Sequence, residues 1–184
     1  NKNNQNIFFD KKKKISSLMK NYIGGLQEFT PKLMPIHAPN VNSYRRLFAT
    51  WYAPRNIKWG TGNRSCGFRI PSKEQKSMRI ENRISGSDTN PYLVIAANLA
   101  AGYLGITNKI KPSEETKTST FNDKKSSLPK NMEEAISLFE NSEDLRKIFD
   151  KKFIKTLSAI RRVESKAYLK VISSWEREYL LLNV

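Results

Sequence analysis

The chain has 184 residues, 38% of them hydrophobic and 27% charged, with 8 Gly and 8 Pro; this excludes collagen-like and wholly disordered classes. Lys and Arg number 33 against 17 Asp and Glu, a formal net charge of +16 with a pI near 10.0. A single cysteine, Cys66, and a single histidine exclude an intramolecular disulfide framework and a zinc site of the usual four-ligand type, so a reduced, cytoplasmic setting is the default expectation.

The leader NKNNQNIFFDKKKK has no apolar core of signal-peptide length. It begins with Asn1 rather than Met and without a domain-starting element, so the chain is expected to be a piece of something longer. Apolar residues at 15, 18, 19, 22, 23 and 26 predict a helix over Ile15 to Phe29, capped by Ser16 or Ser17 and ended by Pro31. Thr30 to Asn42 carries Pro31, Pro35 and Pro39 and reads as an irregular, extended connection, with His37 as a packed or exposed loop residue. From Tyr44 to Arg83, short β-prone pieces (Asn56 to Trp59, Cys66 to Ile70, Met78 to Ile84) alternate with turn chemistry and predict antiparallel strands.

Asn90-Pro91 reads as a helix N-cap followed by proline at the first helical position. That helix runs to about Ile106, apolar nearly all round except for Asn98, and is expected to be deeply buried. It is the longest apolar stretch, and it falls short of the roughly 20 residues a membrane-spanning helix needs. Residues 111 to 128 read as a polar linker or surface excursion. Asn131 and Ser142, each followed by acidic residues, open two short helices. A long amphipathic helix is expected from about Lys151 to Ser173, with Phe153, Leu157, Ile160, Val163 and Ala167 on one face. The end, SSWEREYLLLNV, starts as an imperfect capping box and finishes as an apolar segment that wants a partner surface.

The net charge invites a phosphate partner. Its distribution argues against nucleic acid, because the runs Lys11–Lys14 and Lys124–Lys125 sit in polar segments and no zinc-finger, RNA-binding or basic-zipper signature is present. Chemistry concentrates between Arg55 and Arg83, where Arg outnumbers Lys although Lys dominates elsewhere. On a strand, Arg79, Glu81 and Arg83 share one face. A carboxylate between two guanidinium groups is either an ion-pair ladder or half of an anion-and-metal site, and the pattern alone leaves both open. Arg64 and Arg69, at an odd offset, cannot share one side of a regular strand, so one is expected to project from a turn or bulge. Cys66 reads as buried packing, and Trp51, Tyr52 and Trp59 as core or loop aromatics or as the lining of a pocket.

The ordered motifs Asn42-Ser43-Tyr44-Arg45-Arg46-Leu47, Ala53-Pro54, Trp59-Gly60, Asn63-Arg64-Ser65, Arg69-Ile70-Pro71, Arg79-Ile80-Glu81-Asn82-Arg83 and Asn90-Pro91-Tyr92-Leu93 together resemble the glutamine synthetase family, over about Ile7 to Val184. The resemblance implies an α+β fold: part of a glutamine synthetase-type catalytic domain, with an antiparallel sheet portion backed by helices. It covers residues 1–184 as the C-terminal part, with the small N-terminal β-grasp domain and the first half of the catalytic domain absent. It implies a ligase that joins glutamate to ammonia or an amine with ATP, through γ-glutamyl phosphate, assisted by Mg²⁺ or Mn²⁺. Carried over by motif, Arg46, Arg64 and Arg83 are expected to bind glutamate. Arg64, Arg69, Lys76 and Arg79 are expected to bind ATP, with Arg64 at the transferring phosphoryl group, and Glu81 to be a metal ligand.

Glutamine synthetases proper usually carry a glutamate just before the Ala-Pro pair, where this chain has Tyr52 preceded by Trp51. With Asn82-Arg83-Ile84-Ser85-Gly86 and Trp175-Glu176-Arg177-Glu178, this is more similar to γ-glutamylpolyamine synthetases and implies an amine pocket at Trp51 and Tyr52. The resemblance also implies a homo-oligomeric ring for the parent enzyme, with no membrane and no nucleic acid as partner. Glu81 alone cannot hold two or three divalent ions, so the isolated chain is expected to lack ligase activity. The alternatives are a glutamine synthetase proper using ammonia, or a non-catalytic basic remnant that binds nucleotide or nucleic acid.

Overall fold

The computed structural model describes residues 6–12, 14–49, 52–123 and 127–181. A two-stranded antiparallel hairpin, β1 (Phe9–Asp10) and β2 (Lys14–Ile15), leads into helix α1 (Ser17–Phe29). The Ser16 hydroxyl caps α1 by accepting from the Met19 amide at 3.1 Å.

The expected extended connection at 30–42 is instead largely helical: a 3₁₀ turn (Thr30–Leu33), α2 (Met34–His37) and the start of α3 (Val41–Ala49). Pro31 and Pro35 occupy first-turn positions, where the amide they lack has no intrahelical acceptor, so they begin helices rather than prevent them. His37 is fully buried in α2.

The sheet has three strands in the order β3 (Trp59–Thr61), β4 (Phe68–Ile70) and β5 (Glu81–Asn82). It is mixed rather than antiparallel: β3 and β4 run parallel, with Trp59 opposite Phe68, while β4 and β5 are antiparallel, with Arg69 opposite Glu81. The first strand lies three residues later than the β-prone piece at 56–59, and the last is only two residues of the 78–84 segment. Arg64 projects from the turn between β3 and β4, as the odd offset requires.

Helix α4 (Pro91–Thr107) starts on Asn90, whose side chain accepts from the Tyr92 and Leu93 amides. It crosses α1 so closely that a Cβ on Gly25 would lie 2.1 Å from the Ala101 carbonyl and 2.7 Å from the Gly105 Cα. Deep burial all round is not what the fold does with α4. Ala97, Ala101 and Leu104 are buried, but Tyr92, Ile95, Leu99 and Tyr103 are 59% to 82% exposed. An all-apolar helix reveals that two faces avoid water, and the described residues cover one of them.

Residues 111–123 contain neither helix nor strand, yet they are no loose linker. The Trp59 indole donates to the Ser113 carbonyl at 2.8 Å, the Thr116 amide to the Trp59 carbonyl at 2.9 Å, and the Thr61 amide to Glu115 at 3.1 Å. The segment is a strap along β3, ordered by hydrogen bonds to residues more than fifty positions away.

Helices α5 (Met132–Glu140), α6 (Glu143–Arg146), α7 (Lys151–Leu169) and α8 (Ser174–Tyr179) complete the described chain. Asn131, Ser142 and Asp150 cap the first three, and Ser173 with Glu176 forms a complete capping box on the last. The buried stripe of α7 is Ile154, Leu157 and Ser158, with Phe153 packed against the core. Ile160 and Val163, placed on that stripe by periodicity, face outward. Trp175, Tyr179, Leu180 and Leu181 are exposed. The main core joins α1, the 3₁₀ turn, α2, α5 and the inner face of the sheet around Phe29, Phe68 and Phe139.

Candidate active site

The antiparallel register puts Arg69 directly across from Glu81, and their side chains meet at 2.8 Å between Nη1 and Oε2. The Arg83 Nε lies 3.8 Å from the other oxygen, Oε1. One carboxylate thus sits between two guanidinium groups that are mostly buried. Arg64 is exposed on its turn and close enough for its charge to act on Arg83. Burial lowers the Arg83 pKa; Glu81 raises it, and Arg69 and Arg64 push it down further. The Arg69 Nε and the Arg83 Nη1 are buried donors without a hydrogen-bond partner among the described residues. Two guanidinium groups therefore flank one carboxylate, with donors left over and the charge of Arg64 near Arg83.

Arg46, in the last turn of α3, is half-buried and donates through Nη2 to the Ile84 carbonyl at 2.5 Å, one residue beyond Arg83. Burial lowers its pKa, opposed by the charges of Asp88 and Tyr52. Asp88 in turn accepts from Ser43 and from the Asn40 amide nitrogen at 2.5 and 2.7 Å, tying the loop after Arg83 to α3. Gly86 lies close beneath both, since a Cβ there would fall 2.2 Å from the Asp88 carboxylate and 3.2 Å from the Arg46 Nε and make those side chains shift.

Lys76 and Arg79 lie outside this group, both exposed. Arg79 donates to the Ser77 carbonyl at 3.0 Å and lines a cavity of about 290 Å³ with Phe8, Tyr22, Leu26, Ile80, Asn82 and Asn98. The strand expected to place it beside Glu81 and Arg83 spans Glu81–Asn82 only, so period-two alternation does not reach residue 79. Tyr52 is exposed, while Trp51 lies outside the described residues, as do Lys124 and Lys125. Trp59 is core, 4% exposed, and Cys66 is a buried free thiol. No group of three or more His, Cys, Asp or Glu suited to a metal occurs among the described residues, so they do not by themselves form a metal centre. No helix among them is long and apolar enough to cross a membrane.

A network that sequence reasoning missed supports the Arg64 turn: Asn56, Ser65 and Thr120 are buried and hydrogen-bonded to one another. Thr120 lies in a run of Ser, Thr and Lys with no periodicity, which leaves no sequence signal for it.

The family model of the glutamine synthetase catalytic domain matches residues 1–180. The chain belongs to the glutamine synthetase family. Glutamate–isopropylamine ligase of a Pseudomonas species is 34% identical over 165 residues, 88% of this chain and 36% of that protein. The γ-glutamylputrescine synthetase of Escherichia coli K12 is 31% identical over 183 residues, 100% of this chain and 39% of that protein. Among solved structures, ligand-free GmaS superposes with a TM-score of 0.82 at 28% identity, over 95% of this chain and 41% of that one, and a GmaS complex with ADP matches equally well. The chain thus spans about two fifths of the family members it matches. Its α+β architecture is that of part of a glutamine synthetase catalytic domain.

Proposed function

We propose that this chain is the C-terminal part of the catalytic domain of an ATP-dependent ligase that forms γ-glutamyl amides. The observation that carries the reading is the surplus of guanidinium at Arg69 and Arg83 around Glu81, with buried donors unsatisfied and the Arg64 charge acting on Arg83. Phosphoryl transfer from ATP to a carboxylate gathers negative charge, and fixed cations in a partly dry site stabilise it without reorganising. In this reading Arg64 and Arg69 face the phosphates, Lys76 and Arg79 lie on the nucleotide side, and Arg46 and Arg83 orient glutamate. Glu81 contributes one ligand to Mg²⁺ or Mn²⁺ whose remaining ligands come from a preceding half of the catalytic domain. That ion would neutralise phosphate charge.

The acceptor we propose is an organic amine of the polyamine kind. Support comes from the aromatic pair Trp51 and Tyr52 where a carboxylate would serve ammonium, and from the amines in the names of the two relatives. A homo-oligomeric ring is part of the same proposal.

The chain titrated with ATP and Mg²⁺ is expected to bind, with affinity falling about tenfold in Arg69→Ala. It is expected to show no turnover with glutamate and putrescine. Unchanged affinity in Arg69→Ala refutes the anion site, and turnover by the 184-residue chain refutes its incompleteness. An enzyme assembled with a preceding half that prefers ammonium to putrescine refutes the polyamine assignment.

A further inference from the structure

We infer that residues 113–120 act as a positioning strap for the turn that carries Arg64, with Asn56 and Thr120 as its positioning residues. This rests on the reading of Arg64 as a phosphate ligand. A guanidinium on an exposed turn between two three-residue strands has little sheet to hold it, and a group that meets a transferring phosphoryl must be held in place.

The strap supplies that hold on both sides of Arg64. Before it, the Asn63 amide nitrogen donates to the Thr116 and Thr118 carbonyls at 3.1 and 2.9 Å. After it, the Ser65 carbonyl accepts from the Thr120 hydroxyl at 2.8 Å and from the Asn56 amide nitrogen at 3.0 Å. The Ser65 hydroxyl accepts from the Thr120 amide at 2.9 Å and donates to the Asn63 side-chain oxygen at 2.7 Å.

Asn56 is the hub. Its nitrogen also donates to the Thr120 hydroxyl at 3.1 Å, while its oxygen accepts from the Lys58 and Gly67 amides at 3.0 and 3.2 Å. Both N–H groups and both lone pairs of this buried amide are in use, the condition under which a polar network rigidifies rather than destabilises. The strap also lies hard against β3, since a Cβ on Gly60 would fall 2.4 Å from the Thr116 carbonyl. The bonds converge on residues 63 and 65, and Arg64 itself projects to solvent. A network serving the core alone has no need to grip the two neighbours of an exposed arginine.

Cys66, buried one residue beyond Ser65 and meeting the same face of Gly60 as the Thr116 carbonyl, reports on the strap without any ligand. In Thr120→Val, which keeps shape and loses the hydroxyl, Cys66 is expected to react about tenfold faster with a disulfide reagent, and ATP with Mg²⁺ to bind about tenfold more weakly. Thr120→Ser keeps the hydroxyl and is expected to restore both. Asn63→Ala, which loosens the strap from the exposed side, is expected to act in the same direction and serves if Thr120→Val does not fold. Unchanged Cys66 reactivity in the variants overturns the strap. Unchanged ATP affinity, or a Thr120→Ser as impaired as Thr120→Val, overturns positioning. An Arg64→Ala chain that binds ATP like the unaltered one refutes instead the role given to Arg64, with the Cys66 result still standing.

Discussion

Acidification tests the burial of His37 directly. Its ring is fully buried, with Nδ1 2.8 Å from the Ser85 hydroxyl and Nε2 without a partner among the described residues. Desolvation lowers its pKa from 6.5 to about 4, so the folded chain keeps it neutral where the unfolded chain protonates it. The unfolded state therefore binds more protons between these values, and stability falls as the pH drops from 6.5 towards 4. Each tenfold difference in proton affinity between the folded and unfolded chains is worth about 1.4 kcal/mol, which makes the full loss about 3 kcal/mol, most of it present by about pH 4.5. His37→Gln retains a hydrogen-bonding side chain and cannot titrate. Urea unfolding of both chains from about pH 7.5 to 4.5 isolates the contribution, because every carboxylate is common to the two. The unaltered chain is expected to lose about 2.5 kcal/mol more than His37→Gln over that range. Parallel stability curves would refute the reasoning.

Gly25→Ala is expected to cost about 3 kcal/mol in thermal or urea unfolding, since backbone atoms of α4 occupy the place of the added methyl; a fully stable variant refutes the close crossing. Arg162 binds Glu140 through two bonds of 2.6 and 2.7 Å and reaches Glu133 at 3.2 Å, on a partly exposed surface. Arg162→Met is expected to cost about 1 kcal/mol at low salt and less in 1 M NaCl. Its hydrogen bonds with Arg162 lower the Glu140 pKa, so this contribution is present above the ordinary glutamate pKa and is lost as the pH falls through the lowered value; a salt-independent cost refutes it.

Where residues carry their own local signal, sequence and structure agree. Ser16, Asn90, Asn131 and Ser142 cap the helices they precede, because a short polar side chain can satisfy the first amides without help from elsewhere. Arg69, Glu81 and Arg83 are legible as a cluster from their charge and spacing, and the strand register brings them together. Arg79 is not, because the pairing runs on past the two-residue strand only toward Arg83, whose amide donates to the Gly67 carbonyl at 2.9 Å. The helices at 34–49 are obscured by proline, whose meaning depends on whether it falls at a helix start or inside. The strap is invisible for a different reason. Its order comes from side chains far away in the chain, and a run of Ser, Thr and Lys carries no period. The exposed side of α4 marks the same limit, since hydrophobicity states that a surface avoids water and not which neighbour shields it.

The glycine contact between α1 and α4 has a bearing on induced fit. Asn98 of α4 accepts from Asn82 at 2.9 Å through its side chain and from the Tyr22 hydroxyl of α1 at 2.9 Å through its carbonyl. The carboxylate of Glu81 is thereby bolted, through its sequence neighbour, to two helices whose backbones meet at Gly25 and Gly105 and whose crossing is keyed by the Tyr22 ring against Gly102. In the proposed reading, any closure around a nucleotide falls to the exposed basic segment 76–79, moving toward a carboxylate and a strapped arginine turn that both stay put.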